Sequence, residues 1–131
     1  MPSELFAIDV PGVTGPTAPY PSAVRVGDCV FVSGQVSLDE AGAVVGPDDA
    51  YAQTRQCLRR LDSVLGHFGL GLENVASTTV YLTDSQLADA YNAAWADAFG
   101  SHRPARATVV CGLLDERFLV EVQAVAWFGE R

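Results

Sequence analysis

The sequence predicts an α+β fold of two layers, in which a single mixed sheet carries two helices on one face. Two stretches have an apolar stripe at helical spacing, and the β-prone runs around them alternate in polarity. Glycine or proline separates most of these segments. The predicted order is β-β-α-β-α-β-β, and we expect each helix to connect two strands that are parallel neighbours.

Residues 1–21 are rich in proline and glycine, which predicts an extended N-terminal arm or loop rather than a helix. We expect residues 1–131 to form a single domain that includes this arm. Tyr20 lies between two prolines whose fixed φ angles limit the direction of the ring. It either packs the arm onto the domain, which the local pattern favours, or forms the wall of a site.

A tight hairpin follows the arm. Two β-prone runs, Ala23–Val26 and Cys29–Val32, are separated by the dipeptide Gly27–Asp28. The second strand ends in Ser33 and Gly34, and a glycine there often allows a ligand or another chain to approach the backbone closely. Ser33 is equally compatible with a role in satisfying local backbone groups.

The first helix is predicted to start at Asp48–Asp49, where acidic groups face the positive end of the helix dipole, and to stop at Gly69. Five polar residues fall outside its apolar stripe, and the last of them is interpreted as a solvated histidine near the helix C-terminus: Arg55, Arg59, Arg60, Asp62 and His67. Its apolar stripe consists of Thr54, Leu58, Leu61, Leu65 and Phe68.

The run Val75–Leu82 is β-branched and predicts a strand, and Thr83–Ser85 offers N-cap groups for a second helix that ends at Gly100. Asn92 lies at the border of this helix's stripe, from which it could reach a neighbouring surface. The stripe consists of Leu87, Tyr91, Ala94, Trp95 and Ala98.

Two strands close the chain, Ala105–Cys111 and Phe118–Phe128. Alternation places Arg106, Thr108 and Val110 on one face of the first strand. In the second strand it places Glu121, Gln123 and Val125 opposite Val120, Val122 and Ala124.

We expect Arg106 and Glu121 to share one mixed polar and apolar face, with the helices covering the other face. This mixed face would remain uncovered and would form a subunit interface in a closed homo-oligomer. Further residues expected on it are Thr78, Val80, Val110 and Trp127.

The chain is acidic, with a formal net charge of −8, and its eight basic residues are all arginines. The absence of lysine excludes Schiff-base chemistry on a lysine and a P-loop lysine, and dispersed arginines provide no basic face for nucleic acid. No apolar run approaches the roughly 20 residues needed to span a bilayer. The N-terminus lacks the features of a secretory signal, so we expect a cytoplasmic protein without membrane partners.

Three cysteines and two histidines are scattered without the spacing of a zinc site, so no metal is expected. Cys29, Cys57 and Cys111 are interpreted as reduced, packed thiols. A nucleophilic Cys-His pair stays open as a less favoured alternative.

Several motifs in this order resemble the Rid family, also called YjgF/YER057c/UK114, whose members are reactive-intermediate deaminases. The resemblance covers the chain from about Tyr20 to Trp127. The motifs lie at Ala18–Asp28, Val32–Gln35, Ala52–Leu58, Thr78–Asp84, Arg103–Val109 and Val120–Ala126.

The resemblance implies a chorismate-mutase-like fold and a homotrimer with clefts between subunits. It implies hydrolysis of enamine or imine acids, such as 2-aminoacrylate, to keto acids and ammonia, without a metal or organic cofactor. Arg106 would bind the substrate carboxylate and Glu121 would position the water. The other implied site residues are Ser33, Tyr20, Gly34, Asn92 and Thr108.

Three departures from the family pattern bear on the substrate. Thr108 occupies a position that is cysteine in the best-studied branch, Leu114–Asp115 falls where that branch has Leu-Pro, and Gln123 replaces a frequent acid. The retained Arg106 favours a carboxylate site, while the altered loop favours a shifted substrate. A non-catalytic trimer that binds a carboxylate ligand or a partner protein stays open, as does a pathway-specific biosynthetic enzyme.

Overall fold

A computed structural model describes residues 5–15 and 17–129. Its sheet has six strands in the order β1-β2-β3-β6-β4-β5, and two helices pack against one face, which confirms the predicted α+β sandwich. The strands are β1 Leu5–Ile8, β2 Ala23–Val26, β3 Cys29–Gln35, β4 Val75–Leu82, β5 Ala105–Val110 and β6 Val120–Trp127, and the helices are α1 Ala50–Gly66 and α2 Ala88–Phe99.

The N-terminal arm contributes one strand beyond the predicted order. β1 pairs antiparallel with β2, from Leu5 opposite Val26 to Ile8 opposite Ala23. Residues 1–4 and 16 of the predicted arm lie outside the described part of the chain. The predicted hairpin is confirmed, since β2 and β3 are joined by two residues and Gly27 takes the φ of 58° that the tight turn requires.

The strand order confirms one predicted connection and corrects the other. β4 and β5 are parallel neighbours joined through α2, as expected. β3 and β4 are also parallel, but β6 lies between them and pairs antiparallel with both. The prediction that α1 connects neighbouring strands is therefore wrong. Local alternation defines the faces of a strand, and it carries no information on the position of that strand within the sheet.

The core lies between the sheet and the helices. The side chain of Asp49 caps α1 by accepting a hydrogen bond from the backbone nitrogen of Ala52 at 2.9 Å. Leu61 of α1 is completely buried and Tyr91 of α2 is nearly so. α1 packs against β6, and α2 packs against α1. The alternate residues of β6 that face the helix layer are buried, and they are Val120, Val122, Ala124 and Ala126.

Arg60 is buried although it falls outside the apolar stripe of α1. It is only 9% exposed and donates hydrogen bonds to Val13, Gln35 and Leu38. Its position outside the stripe does not expose it, because a long side chain one position beside the stripe can lie under a loop that helical periodicity does not reveal. His67 is exposed, as predicted.

Arg106 and Glu121 lie on opposite faces of the sheet, so the prediction of a shared face is wrong. Arg106 pairs with Thr78, and Thr78 is 2% exposed on the face covered by the helices. Glu121 pairs with Tyr81 on the open face. Alternation within each strand was predicted correctly, but the register between strands decides which faces coincide.

The uncovered face also differs in membership from the prediction. Thr78 and Val80 are buried beneath the helices. Trp127, by contrast, is half exposed on the open face, where Phe31 and Val109 are similarly exposed. Within the described residues, no helix is long and apolar enough to cross a membrane.

Candidate functional site

A groove of about 730 Å³ on the open side of the sheet contains four of the predicted site residues. Tyr20 comes from the arm, Ser33 and Gly34 from the end of β3, and Glu121 from the start of β6. A register shift between Val32 and Gln35 marks a bulge in β3 at this point. Bulges redirect side chains beside functional sites, and this one places Ser33 and Gly34 next to Glu121.

Ser33 connects the arm to the groove. Its hydroxyl donates a hydrogen bond to the carbonyl of Pro21 at 2.7 Å, and its backbone nitrogen donates to Ser22 at 3.0 Å. The hydroxyl proton is therefore engaged, while the oxygen can still accept a hydrogen bond from a ligand. Tyr20, one residue before Pro21, is 56% exposed and lines the groove, which favours its interpretation as a site wall.

Gly34 leaves the space that the carboxylate of Glu121 occupies. A Cβ atom at position 34 would collide with this carboxylate, and its nearest contacts are all with the Glu121 side chain. Glu121 is half-buried, and burial raises the pKa of its carboxyl above the ordinary value. No described residue donates a hydrogen bond to the carboxylate, so both oxygens are available to a water or a ligand.

Buried polar side chains support the bulge from beneath. Gln35 donates a hydrogen bond to the carbonyl of Ser33 at 3.0 Å and accepts one from Nε of Arg60 at 3.2 Å. The remaining nitrogens of Arg60 donate to Leu38 at 3.0 Å and to Val13 at 2.6 Å. Burial lowers the pKa of Arg60, but the three hydrogen bonds offset part of the cost of desolvation.

Gln53 of α1 supports the opposite wall. Its side chain is fully buried, donates hydrogen bonds to the carbonyls of Gly46 and Arg117 at 3.2 and 3.0 Å, and accepts one from the nitrogen of Leu119 at 2.8 Å. Phe118, which lines the groove, is thereby held between two anchored neighbours. The groove therefore has both walls tied to the helix layer.

Arg106 lies in a second cavity of about 310 Å³, together with Asn92. Its Nη2 donates a hydrogen bond to Oδ1 of Asn92 at 2.8 Å. The guanidinium carbon lies 4.7 Å from the ring centre of Tyr91 and 5.1 Å from that of Trp95. Two aromatic rings and one amide thus orient the guanidinium and leave further N–H groups available to bind an anion.

Thr108 lies on the same face as Arg106, one step further along β5. Its hydroxyl lies 2.8 Å from the hydroxyl of Tyr91. Burial raises the pKa of Tyr91, although the Thr108 hydrogen bond and the Arg106 charge act in the opposite direction. Thr108 therefore helps to position the Tyr91 ring against which the Arg106 guanidinium packs.

The predicted site residues thus form two separate groups within one chain. Arg106 stands near the start of β5, while Cys111, just after its end, lines the groove of Glu121. Five residues of extended chain span about 16 Å at roughly 3.3 Å per residue. A small acid cannot contact both groups in a single chain.

A family model described as "Endoribonuclease L-PSP" matches residues 13–128, which include both groups. The chain belongs to the Rid family. The 3-aminoacrylate deaminase RutC of Acinetobacter baylyi is 36% identical over 126 residues, covering 96% of this chain and 98% of that protein.

Solved structures support the same assignment. A Rid family protein of Yersinia pestis, YyfA, has a TM-score of 0.87 at 28% identity, covering 95% of this chain and 99% of its own. TdcF of E. coli, solved with bound serine, has a TM-score of 0.85 at 25% identity and covers 95% and 99% of the two chains.

Sequence reasoning missed several groove residues of this Rid chain. Tyr81 stands beside Glu121, and its hydroxyl lies 3.5 Å from Oε1 of Gln123. Cys57 is fully buried and burial raises its pKa, so its interpretation as a packed thiol is confirmed. Cys29 and Cys111 are only partly buried, and Cys111 lines the groove. Alternation along β4 could have identified Tyr81, because Val80 and Leu82 are apolar core residues and the residue between them must face the other side of the sheet.

Within residues 5–15 and 17–129 of this Rid chain, no three histidine, cysteine, aspartate or glutamate side chains converge in a way that could hold a metal ion. Glu121 contributes the carboxylate of the groove, and Ser33, Tyr20 and Tyr81 contribute hydroxyl groups.

Proposed function

We propose that this Rid protein hydrolyses reactive enamine or imine acids to 2-keto acids and ammonia. The observation that carries the proposal is the half-buried Glu121 carboxylate, which faces an open groove beside Ser33 and Gly34 with its oxygens unpaired among the described residues. Burial raises its pKa, which makes the carboxylate a better proton acceptor than an ordinary glutamate.

The imine tautomer is the form of the substrate that reacts with water. Glu121 accepts a proton from water as the water oxygen attacks the imine carbon, and it passes this proton to the imine nitrogen to give a carbinolamine. Glu121 then accepts the hydroxyl proton of the carbinolamine and passes it to the amino nitrogen as the C–N bond breaks, which releases ammonia and leaves the keto acid and an ionised Glu121. Because such imines already hydrolyse in water, positioning together with proton transfer is a sufficient source of acceleration.

Arg106 is proposed to bind the substrate carboxylate. A guanidinium matches a carboxylate in geometry and charge, and Tyr91, Trp95 and Asn92 orient this one. Since Arg106 and Glu121 are far apart in one chain, the complete site would combine Arg106 of one copy with Glu121 of another. We therefore propose a homo-oligomer with sites between subunits, and the family resemblance favours a homotrimer.

The open face of the sheet supports such an assembly. Phe31, Val109 and Trp127 are 47%, 44% and 50% exposed on it. Exposed apolar patches on a sheet are commonly covered by another subunit. The two relatives fit the same chemistry: RutC is named for deamination of 3-aminoacrylate, and TdcF was solved with serine, a carboxylate ligand.

The test measures release of ammonia and keto acid from freshly generated 2-aminoacrylate or 2-iminobutyrate. We expect a rate above that of buffer, and a loss of about 100-fold in kcat/KM for Arg106→Ala because a charge-assisted carboxylate contact is removed. Arg59→Ala, an exposed arginine on α1, is the charge-matched control and should retain full activity. An Arg106→Ala protein as active as the wild type would refute the assignment.

Mixing two inactive variants tests the composite site. Arg106→Ala and Glu121→Gln are unfolded together, mixed in equal amounts and refolded. If each site takes the two residues from different copies, random assembly restores about one quarter of the sites. If one copy supplied both residues, activity would not return.

Two alternatives from the sequence remain as outcomes of these experiments. A non-catalytic binder would show thermal stabilisation by small carboxylates without any rate above buffer. A pathway-specific enzyme would act on another imine or cyclic enamine. The ribonuclease activity named in the family description receives little support from the charge, since a net charge of −8 provides no basic face for RNA.

A further inference from the structure

We infer that Leu114 determines substrate specificity by forming, with Leu113 and Phe118, an apolar subsite for the side chain of the substrate. Imines with a branched aliphatic side chain would then be preferred over the three-carbon imine. The inference rests on the proposed function, and it concerns the loop between β5 and β6, where the sequence departs from the family pattern.

The groove offers more apolar surface than a three-carbon acid requires. Val36, Leu113, Leu114 and Phe118 all contribute apolar surface to the groove that contains Glu121. A substrate whose imine carbon lies at Glu121 would therefore have apolar space beside its side chain.

Leu114 is fully exposed, although it lines the groove. A leucine in this position contributes no burial to the folded chain, so its apolar surface is available for contact with a ligand. Leu113 precedes it, and Phe118 lies further along the same loop between β5 and β6. These side chains come from a single short loop, which allows substrate preference to change without altering Glu121.

A local clasp holds this loop in shape. Arg117 donates from its backbone nitrogen, Nε and Nη2 to the carboxylate of Asp115, at 2.9, 3.0 and 2.7 Å. The hydrogen bonds from Arg117 hold the pKa of Asp115 at about 2, so the carboxylate stays ionised at neutral pH. The carbonyl of Arg117 is in turn anchored by Gln53. Leu114 is thus presented by a preorganised loop, which reduces the entropy lost on binding.

The test compares imines generated in situ from L-leucine and L-alanine by an L-amino-acid oxidase in the presence of catalase. We expect the wild type to have a higher kcat/KM for the leucine-derived imine. Leu114→Ala should lower this value about tenfold, and it should change the value for the alanine-derived imine by less than about twofold. Leu114→Met, which keeps apolar volume, should retain most of the preference.

Leu5→Ala is the matched control, because Leu5 is an exposed leucine on β1 and is not part of the groove. An equal loss for both imines would overturn the inference, as would a wild type that prefers the alanine-derived imine. A change of oligomeric state in Leu114→Ala, measured by light scattering, with equal losses for both imines would assign Leu114 to an interface instead.

A binding experiment separates failure of the subsite from failure of the proposed function. Calorimetry compares 4-methyl-2-oxopentanoate with pyruvate, the two keto acid products. Tighter binding of the longer acid that Leu114→Ala removes would support the subsite even if no imine were hydrolysed, and the catalytic proposal alone would then fail. Equal affinities for the two acids would overturn the subsite whatever the catalytic result.

Discussion

The close approach of Gly34 and Glu121 predicts a variant that loses activity while it keeps its fold. In Gly34→Ala the new Cβ would collide with the Glu121 carboxylate, and its nearest neighbours are side-chain atoms of Glu121 rather than backbone. The φ of Gly34 lies outside the left-handed region, so alanine introduces no backbone strain. The Glu121 carboxylate must therefore move, and it can do so because it is the flexible end of its side chain.

The magnitudes follow from this geometry. Gly→Ala at a compatible position changes the free energy of unfolding by only about 0.4–1 kcal/mol, so the melting temperature should shift by about 4 °C or less. General acid–base catalysis typically contributes roughly 10²–10⁴-fold, and displacement of the catalytic carboxylate should remove most of it. We expect kcat/KM to fall about 100-fold, close to the loss in Glu121→Gln.

The assay is imine hydrolysis with thermal unfolding measured on the same preparations. Gly66→Ala is the control, because Gly66 is the last residue of α1 and a Cβ there meets no atom within 4 Å. A double-mutant cycle isolates the cause: in a Glu121→Ala background, Gly34→Ala should have no further effect. A Gly34→Ala variant with wild-type activity, or an undiminished loss in that background, would show that displacement of the Glu121 carboxylate is not the cause.

Two further predictions concern stability and pH. Gln53→Leu leaves the nitrogen of Leu119 and the carbonyls of Arg117 and Gly46 without their partner, so urea unfolding should show a loss of about 3 kcal/mol in the free energy of unfolding. The control Gln56→Leu removes one hydrogen bond of a partly buried side chain and should lose less than about 1 kcal/mol. Equal losses in the two variants would contradict this account. Burial raises the folded-state pKa of Glu121, so its ionisation as pH rises from about 4 disfavours the folded state. The stability of Glu121→Gln relative to wild type should therefore increase from pH 4 to pH 7 in urea titrations, and a constant difference would contradict the pKa shift.

The sequence predicts most of the fold because helical stripes and strand alternation are local signals. Leu58, Leu61 and Leu65 identify the buried side of α1, and Gly27–Asp28 identifies the hairpin turn. The insertion of β6 between β3 and β4 is not predictable in this way, because it depends on which strand edges meet in three dimensions.

The candidate site likewise contains residues that the sequence identifies and residues that it does not. Tyr20, Ser33, Gly34 and Glu121 come together as the family resemblance implies, although they come from distant parts of the chain. The supporting roles of Gln53 and of the pair Gln35–Arg60 are not predictable from the sequence, since a buried polar side chain in a helix or strand has no periodic signature. Their partners are backbone groups of loops, whose paths the sequence does not specify.

The position of Arg106 follows from the place of β5 at the edge of the sheet. Every residue of β5 is exposed, including those on the face towards the helices, so α2 borders Arg106 without covering it. An arginine in the same register on the central strand β6 would be buried against α1 and would lack room for a ligand. The edge position therefore allows a ligand to reach Arg106, while Tyr91 and Trp95 orient its guanidinium.

The same edge position separates Arg106 from the groove of Glu121. The register of Thr78 with Arg106 and of Tyr81 with Glu121 sends the two side chains to opposite faces, and no rotamer can reverse this. A site that uses both residues must therefore be completed by a second copy of the chain. Restored activity in mixtures of Arg106→Ala and Glu121→Gln would follow directly from this geometry. Activity in an obligate monomer would require a site that uses only one of the two residues.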